Sequence, residues 1–410
     1  MPNKLSWALP FSLYTPGLMD DPYRPYAALR DAPPVFWSDE AQSWIVHRYA
    51  DAMTVLADRS FRVTELGRLV GDLSRRGGKQ ADTLEALLSV FLPFVNPPDH
   101  TASRRYLRAV LTARSVASYA DDIRGIADDL LAAAPAQGGF DGATQFADLL
   151  PPLFMGRFLG LLGQMVVDFI LGAAEMGKAF DRGCSPRYYA RMNELISDMR
   201  RPFQQAVDER RREPRDDGLS RMMALAGPDH PLSDSALADH AMFITMAGSE
   251  NTSALIGNAI AAVVEAGVDG DALAADEGFA EAAVAEALRF DGPVQQFWRF
   301  ATRDMTLQGA RIAAGERLLL LVGAANRDPQ TFADPDSFNP RRANLRSIGL
   351  GAGMHYCLGA ELASLEARIC LQAIAARRPS FDPAHPRQWR DRQTLRRLAK
   401  LPLQLRQKDA

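Results

Sequence analysis

The chain has 410 residues, 47% of them hydrophobic and 24% charged, with a formal net charge of -3 at pH 7. That balance is ordinary for a soluble globular enzyme and excludes the strongly basic footprint of a nucleic-acid partner. Three cysteines, Cys184, Cys357 and Cys370, exclude a disulfide framework and fit a reducing compartment.

From the N-terminus, Met1 to Gly17 carries Pro2, Lys4, Pro10 and Pro16 without a continuous apolar run, so it is not read as a signal peptide. A helix is expected around Tyr23 to Arg30, then strand-like pieces at Val35-Phe36-Trp37 and Trp44-Ile45-Val46 between Pro-rich turns. Apolar positions then recur at three- and four-residue spacing over residues 102 to 133, 140 to 175, 187 to 212 and 232 to 267, which predicts helices, with Ser233 as the N-cap of the last. Between Pro293 and Leu321, Thr302, Thr306, Leu307, Ile312 and Leu318 to Leu321 predict short strands. The longest clean apolar run, Leu318 to Ala325, is too short to span a bilayer. No linker, charge block or repeat marks a boundary. The expectation is a mainly α protein with a small β portion (α+β), cytoplasmic, forming a single domain over 1-410. Its parts are a β-containing stretch (1-60), a helical body (61-290) and a mixed β and loop region (291-410).

Four constellations carry chemistry. Asn96-Pro97-Pro98-Asp99 opens a helix that puts His100 and Arg104 one turn apart, which suits a carboxylate ligand or a solvated basic face. In the middle of the 232 to 267 helix stands Ala247-Gly248-Ser249-Glu250-Asn251-Thr252, where a glycine costs about 1 kcal/mol relative to alanine. Ile244, Ala247, Gly248, Asn251, Thr252 and Leu255 fall on one stripe there, suited to a flat ligand or to a helix crossing. Glu286 and Arg289 stand at i,i+3 in an alanine-rich, apolar stretch that suggests a buried ion pair, with Arg342 as a candidate third member; the plainer reading is a surface salt bridge of about 0.5 kcal/mol.

The fourth is Leu350-Gly351-Ala352-Gly353-Met354-His355-Tyr356-Cys357-Leu358-Gly359. Its glycines let the backbone take φ > 0 or lie flat against a large planar ligand. A helix starting near Leu358 would direct its free N–H groups toward Cys357 and favour the thiolate, and such a thiolate is a known axial ligand of haem iron. A cysteine filling core space is the other reading. Zinc would need more ligands than Cys357 and His355, and Cys370 lies inside the following helix. The Cys-x-x-Cys-His signature of covalent haem attachment is absent.

Taken in order, these pieces resemble the soluble bacterial cytochrome P-450 family of haem-thiolate monooxygenases. The likeness spans nearly the whole chain, from Asp21-Pro22-Tyr23 and Ala28-Leu29-Arg30 through Leu232-Ser233-Asp234 and Asn326-Arg327-Asp328-Pro329 to the Cys357 loop. It implies haem b between the long distal helix and the cysteine-loop helix, with Cys357 as the iron ligand, whose electron donation favours O–O cleavage. By the same resemblance His100, Arg104, Arg299 and His355 hold the haem propionates, Leu350, Gly351, Gly353 and Gly359 shape the proximal loop, and Glu286, Arg289 and Arg342 form a structural triad. Ala247 and Gly248 then cross the distal face. Phe243, Ile244, Val294, Gln295, Phe297 and Leu395 line the substrate pocket, together with the loop near residues 62 to 94.

Two departures from the family pattern stand out. Leu350 replaces the usual aromatic beside the thiolate, and Asn251 replaces the usual threonine, with Thr252 pointing roughly 100° away on the helix. An amide cannot easily relay a proton through itself as a hydroxyl does, so protons are expected to arrive through ordered water, Glu250 or a substrate hydroxyl held in place by Asn251, with Glu250, Asn251 and Thr252 as the catalytic candidates. The implied activity is insertion of one atom of O2 into a small or medium apolar organic molecule, free or carrier-bound, in specialised metabolism. Oxidative phenol coupling, peroxygenase chemistry and a non-catalytic haem sensor remain alternatives. Electrons would come from NAD(P)H through a reductase and a ferredoxin or flavodoxin, attracted by Arg104, Arg105, Arg108, Arg341, Arg342 and Arg346. No membrane partner is expected, and the chain is expected to be a monomer.

Overall fold

The computed structural model describes residues 5–112, 116–134, 139–161, 165, 169, 172, 185–227 and 232–406. They divide into two compact units, one of Met1–Arg62, Ile123–Leu149 and Asn251–Ala410, the other of Val63–Asp122 and Leu150–Glu250.

The first unit is built on a five-stranded sheet whose order is Val35–Ser38, Ser43–Val46, Arg317–Leu321, Gln296–Ala301, Phe61–Arg62. Ser43–Val46 runs parallel to Arg317–Leu321, with Trp44 opposite Leu318, and the other pairs are antiparallel. Alternate residues feed two cores. Val35, Trp44, Val46, Leu318 and Leu320 pack with Val55, Leu56 and Ile348 on one face. Phe36, Ile45, Leu319 and Leu321 pack with Leu13, Tyr26 and Leu29 on the other. Burial on both faces explains why Leu318 to Leu321 reads as an unbroken apolar run. The strands expected at residues 35 to 37 and 44 to 46 are present, as are those between Pro293 and Leu321; Thr302 falls just beyond its strand.

The second unit is helical. Its described helices include Leu66–Arg76, Asp82–Val90, Asp99–Val110, Leu150–Leu159, Pro186–Arg212 and Gly218–Leu225. The longest helix of the chain, Asp234–Glu265, begins in this unit and ends in the first. Ser233 caps it as expected, its Oγ accepting from the Ala236 N–H at 3.2 Å. At the far end the Val268 N–H bonds Val263 O, the Gly267 N–H bonds Val264 O, and Gly267 takes φ 61°, which closes the helix with a left-handed glycine.

Three helical expectations need correction. The helix near Tyr23 stops at Ala27 and continues as a 3-10 turn over Ala28–Asp31. The stretch from 102 to 133 is broken: one helix ends at Val110 and another covers Ala120–Ala132. The stretch from 140 to 175 starts as a strand, Phe140–Asp141, because Pro402–Gln404 pairs with it, and then forms a π-helical turn, Ala143–Ala147, before Leu150–Leu159. Most of its remainder, like Cys184, lies outside the described residues. Among the described residues no helix is long and apolar enough to cross a membrane.

Candidate functional site

In the first unit the Cys357 loop is held by its own backbone. The Cys357 N–H donates to Leu350 O at 2.8 Å, the Gly351 N–H to Ile348 O at 2.9 Å, and Gly353–His355 forms a 3-10 turn. Gly351 and Gly353 take φ 74° and 63°. A Cβ at Gly353 would lie 2.6 Å from Leu56 O, and one at Gly351 would lie 3.2 Å from His355 O. These two glycines are therefore required by the turn and by the neighbouring helix Tyr49–Ala57. Gly359 differs: a Cβ there would meet nothing within 4 Å. The following helix starts at Ala360, two residues later than expected, with Gly359 as its N-cap. Cys357 is half-buried, whereas Cys370, inside that helix, is buried and its thiol is pushed well up by desolvation. Leu350, Met354 and His355 are half-buried beside it, and Tyr356 is exposed.

Behind the loop, Glu286 and Arg289 of helix Glu277–Phe290 are both buried. Arg289 Nε donates to Glu286 Oε2 at 2.8 Å and Nη2 to Oε1 at 2.7 Å, a two-pronged pair. The remaining Arg289 donors reach the carbonyls of Asn326, Pro335 and Ser337. Glu286 Oε1 also accepts from the Asn339 N–H at 2.9 Å and from Arg342 Nε at 3.3 Å. The three residues meet, and the surface-bridge alternative fails because the pair is inside. Arg342 also donates to the carbonyls of Ala333, Asp334 and Ser337. It is only 8% exposed, so it must be removed from the positive surface proposed for an electron carrier. Arg105, Arg108, Arg341 and Arg346 do face solvent.

Asn326, quoted only as part of a motif, proves to organise the loop. Its Oδ1 accepts from the Ile348 N–H and its Nδ2 donates to Ser347 Oγ at 3.1 Å, which fixes the chain just before Leu350. Asn258, which nothing in the pattern singled out, donates from Nδ2 to the carbonyls of both Asp291 and Arg396.

Arg299 lies on strand Gln296–Ala301 and is 6% exposed. Its Nη1 donates to Trp298 O, and among the described residues it has no ion pair. Burial alone pushes its pKa down to about 10. A buried cation with no counter-ion suits a carboxylate-bearing ligand. Val294 and Leu395 are brought together by an isolated bridge, and Phe297 is half-buried. Gln295 departs from its expected pocket role. It is fully buried and its Nε2 donates to Gly292 O at 2.8 Å and Tyr23 OH at 3.2 Å, so it serves the interior.

In the second unit, His100 and Arg104 share helix Asp99–Val110. His100 is 2% exposed, and its pKa is lowered first by burial and then by the nearby Arg104 charge, which overturns the solvated-face alternative for that residue. On the long helix Phe243 and Ile244 are buried, and the Phe243 ring lies 4.8 Å from that of Phe91. The middle of this otherwise buried helix opens: Ala247 and Asn251 are exposed, with Gly248 and Glu250 partly so, while Thr252 is buried. Gly248 faces a neighbouring helix. A Cβ on it would lie 3.0 Å from Met155 Sδ, so its small size admits helix Leu150–Leu159, as the crossing alternative has it. Ala247 and Asn251, four residues apart, are the stripe that stays open.

A cleft of about 830 Å³, lined among others by Phe381, His385, Arg387 and Trp389, includes none of the candidate residues.

Comparison with known proteins points to one family. The cytochrome P450 family profile matches residues 278–393, which contain the ion cluster, Arg299 and the cysteine loop. The vitamin D(3) 25-hydroxylase of Pseudonocardia autotrophica is 31% identical over 376 residues, 90% of this chain and 89% of that protein. Epothilone B-bound cytochrome P450epoK superposes with a TM-score of 0.86 at 27% identity, covering 97% of this chain and 100% of that one. P450BioI, solved with an acyl carrier protein ligated to hexadec-9Z-enoic acid, superposes with a TM-score of 0.83 at 25% identity, covering 94% and 98%. The chain belongs to the cytochrome P450 family. It is a monooxygenase of that family, whose members use a haem-thiolate centre, O2 and external electron donors.

Proposed function

We propose that Cys357 is the thiolate ligand of haem b and that the enzyme inserts oxygen into a small or medium apolar organic molecule. The observation that carries this reading is the contrast between the two described cysteines: Cys357 stands half-buried at the end of a backbone-closed loop, whereas Cys370 is sealed in a helix. Arg299, a buried cation with no ion pair among the described residues, supports a cofactor that brings carboxylates, and the open side of Gly359 supports a flat face near the thiol. His100, Arg104 and His355 are the further propionate partners in this reading. Bound haem would supply O2 activation. Cys357→Ser should abolish the thiolate-type Soret band of the reduced, carbon monoxide-treated protein, and Cys370→Ala should keep it; retention in the serine variant overturns the assignment.

On the oxygen side, Asn251 holds water or a substrate hydroxyl in position, and Glu250 supplies protons to it. The burial of Thr252 supports this, because its hydroxyl is withdrawn from the open stripe that Ala247 and Asn251 share. Asn251→Ala should lower product formed per electron consumed; an unchanged yield assigns proton delivery elsewhere. A peroxide-driven or coupling reaction is favoured instead if hydrogen peroxide without a reductase sustains turnover.

Substrate contacts in this reading are Phe243, Ile244, Val294, Phe297 and Leu395. The substrate arrives free or on a carrier protein, and a screen for spin-state shifts of the haem would sort the two. The enzyme works in the cytoplasm as a monomer. Its electrons come from NAD(P)H by way of a reductase and an acidic ferredoxin or flavodoxin, for which the exposed Arg105, Arg108, Arg341 and Arg346 supply positive charge.

A further inference from the structure

The second unit contains a buried ion pair unlike the one around Glu286. Asp239, in the second turn of the long helix, faces Arg200 of helix Pro186–Arg212. Arg200 Nη2 donates to Asp239 Oδ2 at 2.9 Å and to Ser235 O at 3.0 Å. The side chains are 5% and 22% exposed. Asp239 Oδ1 and Arg200 Nε, both buried, have no hydrogen-bond partner among the described residues. Two residues beyond Arg200, Pro202 removes a backbone donor inside the helix, which is where a helix bends most readily.

We propose that this pair loosens the packing of helix Pro186–Arg212 on the start of the long helix: ionised Asp239, buried and held by one contact, makes the segment open more readily at neutral than at acid pH. A carboxylate inside the protein must recover its lost hydration from its partners, and one contact does not suffice. Water supplies the missing hydrogen bonds whenever the helix lifts. The protonated acid has no such debt.

The charges around Asp239 agree. Burial raises its pKa from 3.8 to about 6, and Arg200 is the one charged group that opposes the shift. Asp198 and Arg201, on the same helix as Arg200, pair with each other in solvent, and Arg211 pairs with Asp234 at the surface. His240, next along the long helix, is turned away: Nδ1 bonds Ala236 O, the ring meets Tyr106 edge-on, and burial lowers its pKa. The sign follows from linkage. The closed state binds the Asp239 proton more tightly than a hydrated open state, so raising the pH through this range favours opening.

If the proposed substrate contacts are correct, the opening segment flanks them, because Phe243 follows Asp239 by one turn. That consequence rests on the proposed function; the opening itself does not. The test is hydrogen exchange of the haem-loaded full-length protein from pH 5 to 8, corrected for intrinsic rates, read in peptides of residues 186–212. The wild type should lose protection about tenfold as the pH rises, with the midpoint near 6. Asp239→Asn should stay at the protected level throughout, and Arg200→Met should exchange faster than wild type at pH 7. A wild type without a transition, an Asn variant that titrates like wild type or stays unprotected, or an Arg200→Met variant no faster than wild type would each overturn the proposal. Each readout is independent of substrate.

Discussion

Glu286 and Asp239 are both buried carboxylates facing an arginine, one in each unit, and their surroundings differ. Glu286 accepts four hydrogen bonds, from Arg289 twice, Arg342 and the Asn339 N–H. Asp239 accepts one among the described residues. A two-pronged pair with backbone donors around it recovers most of what desolvation costs; a single contact leaves the charge underpaid. The first arrangement fixes the ground beneath the cysteine loop, through Arg289 and the Asn326 carbonyl. The second leaves a helix free to lift. The cores follow the same division. The sheet cores of the first unit are Val, Ile, Leu, Ala and aromatic residues, with Met53 and Met305 only partly buried against one of them, whereas the buried Met155, Met192, Met222, Met242 and Met246, in the second, bring adaptable thioethers to the helix packing.

Three experiments sharpen or break this contrast. Glu286→Gln removes the carboxylate that faces Arg289 and strands a guanidinium inside, at a cost of about 3–5 kcal/mol. A thermal scan should show a large fall in Tm, and a shift of only a degree or two would mean that the cluster is not the rigid element described. Gly248→Val drives a branched side chain into Met155 and should cost about 1–3 kcal/mol in denaturant unfolding. Adding Met155→Ala should return part of that loss, since the two side chains would compete for one space. The smallest effect has the opposite sign. Asp239 has a folded pKa of about 6 against an ordinary 3.8, so the stability it contributes is complete below pH 4 and is lost as the pH rises through 6. Asp239→Asn should therefore be more stable than wild type at pH 7 by about 1 kcal/mol, a discounted fraction of the shift, with the advantage gone at pH 4.

Much of the site was legible because its signals are local. The i,i+3 spacing of Glu286 and Arg289, the glycines around Cys357 and the cap at Ser233 are each settled within a few residues. The failures involve partners far along the chain. Residues 140 and 141 carry a helical pattern but pair with Pro402–Gln404, which no local period reveals. That the small size of Gly248 admits Met155, from another helix, cannot be read from its own neighbours in sequence. The break after Val110 has no glycine or proline to announce it. Nothing near Asp239 in sequence shows that Arg200 is its partner.

One pairing in the first unit bears on how the protein is made. Ser43–Val46 is joined to Arg317–Leu321, and the Trp44 indole donates to Glu316, 272 residues away. During synthesis the N-terminal strands therefore leave the ribosome with their apolar residues exposed long before the partner strand exists. Val63–Asp122 and Leu150–Glu250, which make up the second unit, are complete before that strand appears. The central sheet can therefore close only once the chain has passed Leu321.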